Sequence, residues 1–177
     1  MNNQNIASLK NKLNMSTWHL VLLSLVTNGI YLLMWMYKNQ DVIMTEVKQQ
    51  FSTRIFIIWM AICTGVANII FIYFPVQVDR YGYAYDSSAE TIAGIGAILS
   101  IAWTVLTIVW AFKARAALQQ YALTQFRFEL KMNIAWTILF HVFYINYCIN
   151  AMPEALAKHQ IIHGKPEQPG TDNLPQP

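Results

Sequence analysis

Residues 91–112, TIAGIGAILSIAWTVLTIVWAF, and residues 55–75, IFIIWMAICTGVANIIFIYFP, contain no Asp, Glu, Lys or Arg. The hydrocarbon core of a bilayer is ~30 Å thick and a helix rises ~1.5 Å per residue, so ~20 apolar residues span it. Both segments meet that length and predict transmembrane helices. Two further stretches, 13–37 and 132–153, are equally free of charge. The 177-residue chain is 55% hydrophobic and 12% charged, about half the charge of an ordinary soluble domain. These features predict an all-α integral membrane protein with one helical membrane domain over 13–160. A loose N-terminus (1–12) is expected before it. A disordered tail (161–177), with Gly164, Pro166, Pro169, Gly170, Pro175 and Pro177 among polar residues, is expected after it.

Lys10 and Lys12 precede the first apolar run. No short apolar core with a small-x-small cleavage site follows, so 13–37 is expected to be retained. The net charge is +3, and the basic residues sit beside the apolar runs. That placement suits the head groups of a lipid bilayer and not nucleic acid. Cys63 and Cys148 both lie inside apolar segments, where they read as small buried side chains and not as a disulfide framework or metal site.

The outer apolar segments are less regular. Thr27-Asn28-Gly29 places a turn signal in the middle of 13–37. His141, Asn146 and Asn150 interrupt 132–153. Between the spans, Tyr81, Tyr83 and Tyr85 suit a membrane interface. Ala114, Ala117, Leu118, Tyr121 and Ala122 follow helical spacing, which predicts an amphipathic interfacial helix over about 114–128. Two topologies are compatible with this pattern. If all four segments span, the basic residues divide seven to five between the two faces. If 13–37 and 132–153 are re-entrant or interfacial, eleven basic residues share one face and only Arg80 lies on the other. The second arrangement obeys the positive-inside rule far better. It requires the broken backbone to be covered by protein. A two-half design is suggested by a weak echo between IYLLMWMYKNQDVI, starting at Ile30, and FYINYCINAMPEAL, starting at Phe143.

Thr27-Asn28-Gly29-Ile30-Tyr31, followed by Trp35 and Tyr37, resembles a T-x-G-I-Y-x-x-x-W motif. That motif marks a bacterial family of small integral membrane proteins carrying a domain of unknown function. The similarity is densest over LSLVTNGIYLLMWMYK. It is expected to cover the ends of the chain better than 54–112. The resemblance implies a multi-pass protein of the bacterial inner (cytoplasmic) membrane, with Thr27, Gly29, Ile30, Tyr31 and Trp35 as motif residues. It implies no substrate.

An ionisable residue inside an apolar segment is a functional candidate, which singles out His141. Tyr144, Asn146 and Asn150 follow it at near-helical spacing, and Asn68 lies within 55–75. Together they form a possible intramembrane polar site. Each also has a structural explanation as an interhelical hydrogen-bonding group. Ala61 and Gly65 form a small-xxx-small pair, and Gly94 and Gly96 give 91–112 a small face, so these positions read as helix-packing sites. His159 and His163 alone are too few for a metal site. No nucleophile is spaced with a base, and no cofactor motif is present. The expectation is a non-enzymatic scaffold, accessory or membrane-organising subunit, with a homo-oligomer or a membrane-complex partner. The alternative is a small-solute or ion transporter or channel-like protein using Asn68, His141, Asn146 and Asn150.

Overall fold

The computed structural model describes residues 2–77, 80–81 and 87–164. Tyr83, Tyr85 and the tail from 165 onward lie outside them. The described residues form six helices: α1 (Asn2–Leu13), α2 (Thr17–Val26), α3 (Ile30–Val47), α4 (Arg54–Tyr73), α5 (Ser87–Phe126) and α6 (Ile134–His163). Three of them, α4, α5 and α6, are long and apolar enough to cross a membrane.

α4 begins at a capped end, where the Thr53 hydroxyl accepts a hydrogen bond from the Phe56 N–H at 3.3 Å. It stops two residues before Pro75, which cannot continue a helix. Its outer face exposes Ile55, Trp59, Ile62, Ile69 and Ile72, as a helix solvated by lipid does. Its inner face meets the first half of α5 at Gly96. A Cβ added there would lie 2.9 Å from Ile70 Cγ2, so only glycine permits this approach. Gly65 and Gly94 face open space and Ala61 is exposed. Of the four small residues expected at packing positions, Gly96 alone is buried against another helix of the chain.

The amphipathic stretch expected as a separate interfacial helix is instead the continuation of α5. This helix runs unbroken for 40 residues, about 60 Å at ~1.5 Å per residue. Lys113 and Arg115 end the apolar run without ending the helix, because neither residue type breaks helical geometry. The apolar stripe Ala114, Ala117, Leu118, Tyr121 and Ala122 is buried against protein. Arg115 and Gln119 hold the returning segment, donating to the carbonyls of Met132 at 2.9 Å and Leu130 at 3.1 Å.

The core therefore gathers at one end of the bundle, the end where α4 begins. Leu9, Met36, Ile43, Trp110, Leu118 and Ile149 are all buried there. The N-terminus, expected to be loose, is helical from Asn2 and belongs to this core. Leu9 and Leu13 lie one turn apart and are buried, and Ser8 and Lys12 on the adjoining face both bond Glu46 of α3. A stripe of two leucines is too short to register as periodicity in the sequence.

Substituting leucine at Gly96 is expected to overpack the α4–α5 contact and lower stability by about 1–3 kcal/mol. Leucine at Gly94 should leave the thermal midpoint in detergent nearly unchanged. The Glu46 carboxyl is held below its ordinary range. Burial alone would raise it, but the bonds from Lys12 and Ser8 and the Lys12 charge outweigh burial. A carboxylate lowered in the folded state stabilises the fold above its unfolded value of about 4.5, and that contribution fades as pH falls through the lower folded value. The difference in midpoint between wild type and Glu46→Gln, measured from pH 7 down to 3, should accordingly shrink at the acid end.

Candidate functional site

The apolar segment 13–37 is broken where the turn signal stands. α2 ends at Val26, and α3 starts at Ile30 after two left-handed residues, Asn28 (φ 50°) and Gly29 (φ 85°). Glycine adopts that conformation without steric cost, and asparagine tolerates it. Every amide across the break is bonded. Thr27 N–H donates to the Leu23 carbonyl at 3.0 Å, Asn28 N–H to Leu25 at 3.2 Å, Gly29 N–H to Ser24 at 2.7 Å and Ile30 N–H to Thr27 at 3.1 Å. The Thr27 hydroxyl completes the set. It donates to the Leu23 carbonyl at 2.7 Å and accepts from the Tyr31 N–H at 2.9 Å. Thr27 therefore closes α2 and opens α3 with a single oxygen. Of the other motif residues, Trp35 is buried in the core, Tyr31 is partly buried and Ile30 is exposed.

α3 and α4 run antiparallel with contacts at both ends. Arg54 is ion-paired with Asp41, its Nε donating to Oδ2 at 2.8 Å. Asn28 Nδ2 reaches Asn68 Oδ1 at 3.5 Å. Asn68 also donates to the Thr64 carbonyl at 2.9 Å. Asn28 and Asn68 lie thirteen and fourteen residues from the Arg54–Asp41 pair, so the turn sits about 20 Å along α4 at ~1.5 Å per residue.

The segment 132–153 is broken in the same manner. α6 carries a sharp kink at His141 (φ 29°, ψ −106°). The Asn133 N–H donates to the Tyr144 hydroxyl at 2.9 Å. A straight helix would separate these Cα atoms by about 16 Å at ~1.5 Å per residue, well beyond the reach of one tyrosine. The chain therefore bends back on itself at His141. The two breaks stand at equal offsets in the sequence echo: Asn28 precedes Ile30-Tyr31 by two residues, and His141 precedes Phe143-Tyr144 by two. The helix before each unit also leaves through a left-handed residue, Asn14 (φ 40°) in the first half and Arg127 (φ 54°) in the second.

The possible intramembrane polar residues are not gathered on one path. Asn68 bonds Thr64 and Asn28. Asn146 and Asn150 donate to the Met15 carbonyl at 3.2 and 3.0 Å, and Asn146 also to Thr17 Oγ1 at 3.1 Å. These two asparagines clamp the α1–α2 junction onto α6. Tyr144 binds Asn133. His141 Nδ1 and Asn146 Oδ1 are buried without a hydrogen-bond partner. His159 stacks at a tilt on Phe128, with centroids 5.9 Å apart. Among the described residues, no three His, Cys, Asp or Glu side chains come together as a metal ion would require. The structural role of Thr17 and Met15 was not legible in the sequence, because nothing local marks a carbonyl as the target of side chains about 130 residues away.

Residues 15–120 match the family model described as Domain of unknown function (DUF4234). The chain belongs to this family. The DUF4234 match takes in Thr27 to Trp35, runs through the middle segments 54–112 and ends within α5. α1 and α6 lie outside it. Its extent thus differs from the expectation that similarity would favour the two ends. No curated protein and no solved structure matches the chain.

If Thr27 closes the turn as described, Thr27→Val loses both bonds and should cost about 1–3 kcal/mol, whereas Thr27→Ser should retain most of the stability. Thermal midpoints of the purified variants in a mild detergent check this.

Proposed function

We propose that this DUF4234 protein is a non-enzymatic, membrane-organising subunit of the bacterial inner membrane that acts as a wedge. The observation that carries the reading is the pair of apolar segments that turn back, at Asn28-Gly29 and at His141. In this arrangement only α4 and the first half of α5 cross the bilayer, while α2, α3 and both limbs of α6 fill the leaflet on the Arg54 side. The cross-section is then far larger in one leaflet than in the other. Charge supports the same orientation, since among the described residues all basic side chains but Arg80 fall on the broad side in this arrangement. The exposed apolar surface of the hairpin, including Leu25, Val26, Ile30 and Met34, suits lipid. Gly65, Gly94 and Ala61, which no other helix of the chain covers, offer a close-packing surface to a second copy or a complex partner.

The transport reading has one observation in its favour, the two unpartnered buried atoms His141 Nδ1 and Asn146 Oδ1. It is weaker, because Asn68, Asn146 and Asn150 already hold structural bonds in separate places.

Two measurements test the wedge. Single cysteines at Lys48, Lys131, Lys158 and Ser88, in a background with Cys63 and Cys148 replaced by serine, are probed with an impermeant thiol reagent. Labelling of 48, 131 and 158 from one face and of 88 from the other is expected. Opposite faces for 131 and 158 would overturn the reading. Reconstituted into vesicles of graded diameter, the protein should reach a higher density per unit area on the smaller ones, and a density independent of diameter would refute wedge action.

A further inference from the structure

Two cavities meet where α2 packs on α6. The polar one, about 650 Å³, is lined by Lys10, Asn11, Asn14, Ser16, His19 and Asn150 among others. The aromatic one, about 470 Å³, is lined by Val21 and the rings of Trp136, Phe140, Phe143 and Tyr144. Thr17 and Tyr147 belong to the walls of both. The two therefore adjoin, a polar part of the cleft beside an aromatic part. Each part falls in the range of ~300–1,000 Å³ typical of ligand pockets.

Several observations define what fits. Among the described residues, no acidic side chain lines either part, while Lys10 and His19 line the polar part. Ser16 precedes the first turn of α2 and makes no side-chain capping bond, so the leading amides of α2 lack an acceptor from within the helix. Glu154 on α6 is engaged by Lys158 at 2.8 Å. Trp18, 67% exposed beside Thr17, has the exposure of an interfacial anchor. The aromatic part opens outward through Trp136, Phe140 and Tyr147, which are about half exposed. The wall is fixed, because Asn146 and Asn150 tie Met15 and Thr17 to α6.

We infer that this cleft binds one anionic diacyl phospholipid. Its phosphate lies among Lys10, Ser16 and His19, and one acyl chain lies against Trp136, Phe140 and Phe143. Charge complementarity selects the head group, and the adjacency of the polar and aromatic walls selects an amphiphile over a free anion. The inference requires that α2 and α6 lie in a bilayer. It does not require that they shape one.

The test is native mass spectrometry of the protein released from nanodiscs containing equal amounts of phosphatidylglycerol and phosphatidylcholine. Wild type is expected to retain one phosphatidylglycerol in preference to phosphatidylcholine. The Lys10→Gln, His19→Gln double variant should lose that preference by about tenfold, a difference of ~1.4 kcal/mol. Val21→Trp, which fills the cleft, should abolish retention of either lipid, and Lys48→Gln, outside the cleft, should change nothing. Circular dichroism establishes that each variant is folded. A readout free of polar variants is quenching of tryptophan fluorescence by phosphatidylglycerol with brominated chains, a large part of which should vanish in Trp136→Phe. Equal retention of the two lipids by wild type would overturn the proposal. So would undiminished preference in the double variant, or quenching that Trp136→Phe leaves intact. A protein that prefers phosphatidylglycerol but ignores vesicle diameter would retain this site and lose the wedge.

Discussion

Backbone hydrogen bonding in an apolar environment constrains everything else in this molecule. A break in a helix exposes N–H and C=O groups that lipid cannot satisfy, at a cost of several kcal/mol for each one left unpaired. At Thr27-Asn28-Gly29 the chain meets the constraint locally. Five consecutive amides find acceptors within six residues, one of them the Thr27 hydroxyl. The side-chain amide of Asn28 is met from outside by Asn68 of α4. A threonine, a left-handed glycine and a facing asparagine are together sufficient to stop a helix about 20 Å along α4, by the ~1.5 Å rise per residue. At the second break the bond from the Asn133 amide to the Tyr144 hydroxyl ties the limb before the kink to the limb after it.

Folding back has a consequence for packing. The far half of α4 and the first half of α5 bury little besides their mutual contact at Gly96, whereas the other end of the bundle builds a dense core from α1, α3, the start of α4, α5 and α6. α5 joins the two regimes in one helix. Its first half is solvated by whatever surrounds the protein, and its second half is packed as tightly as a soluble core, with Trp110, Ala111, Ala114 and Leu118 fully buried. Asn146 and Asn150 then fasten the N-terminal unit to the C-terminal one through the Met15 carbonyl, so neither half is independent of the other.

The charge-free runs made the membrane helices legible, since length and composition alone decide them. The turn at Thr27-Asn28-Gly29 was legible for the same kind of reason: its residues carry their conformational preference locally. The kink at His141 was not, because no glycine or proline marks it and the bond that stabilises it spans eleven residues. The helical N-terminus was hidden because its stability comes from Leu9, Leu13 and the Glu46 contacts on a distant helix. The continuity of α5 was hidden by a change in polarity at Lys113, which reads as a boundary between environments although the backbone does not register it. The polar residues stood out as candidates by type, yet their partners, Asn28, Asn133, Met15 and Thr17, are tertiary neighbours that no spacing rule discloses.

The placement of Asn68 bears on the order in which the molecule is assembled. α2, the turn and α3 are made before their partners: the side chain that meets the turn belongs to α4, and those that hold α2 from the side belong to α6. A ten-residue helix is too short to cross a bilayer by itself, and the turn at its far end, bonded within itself, meets Asn68 only when α4 is in position. The hairpin of α2 and α3 therefore gains its full set of partners only once the later helices α4 and α6 have been made.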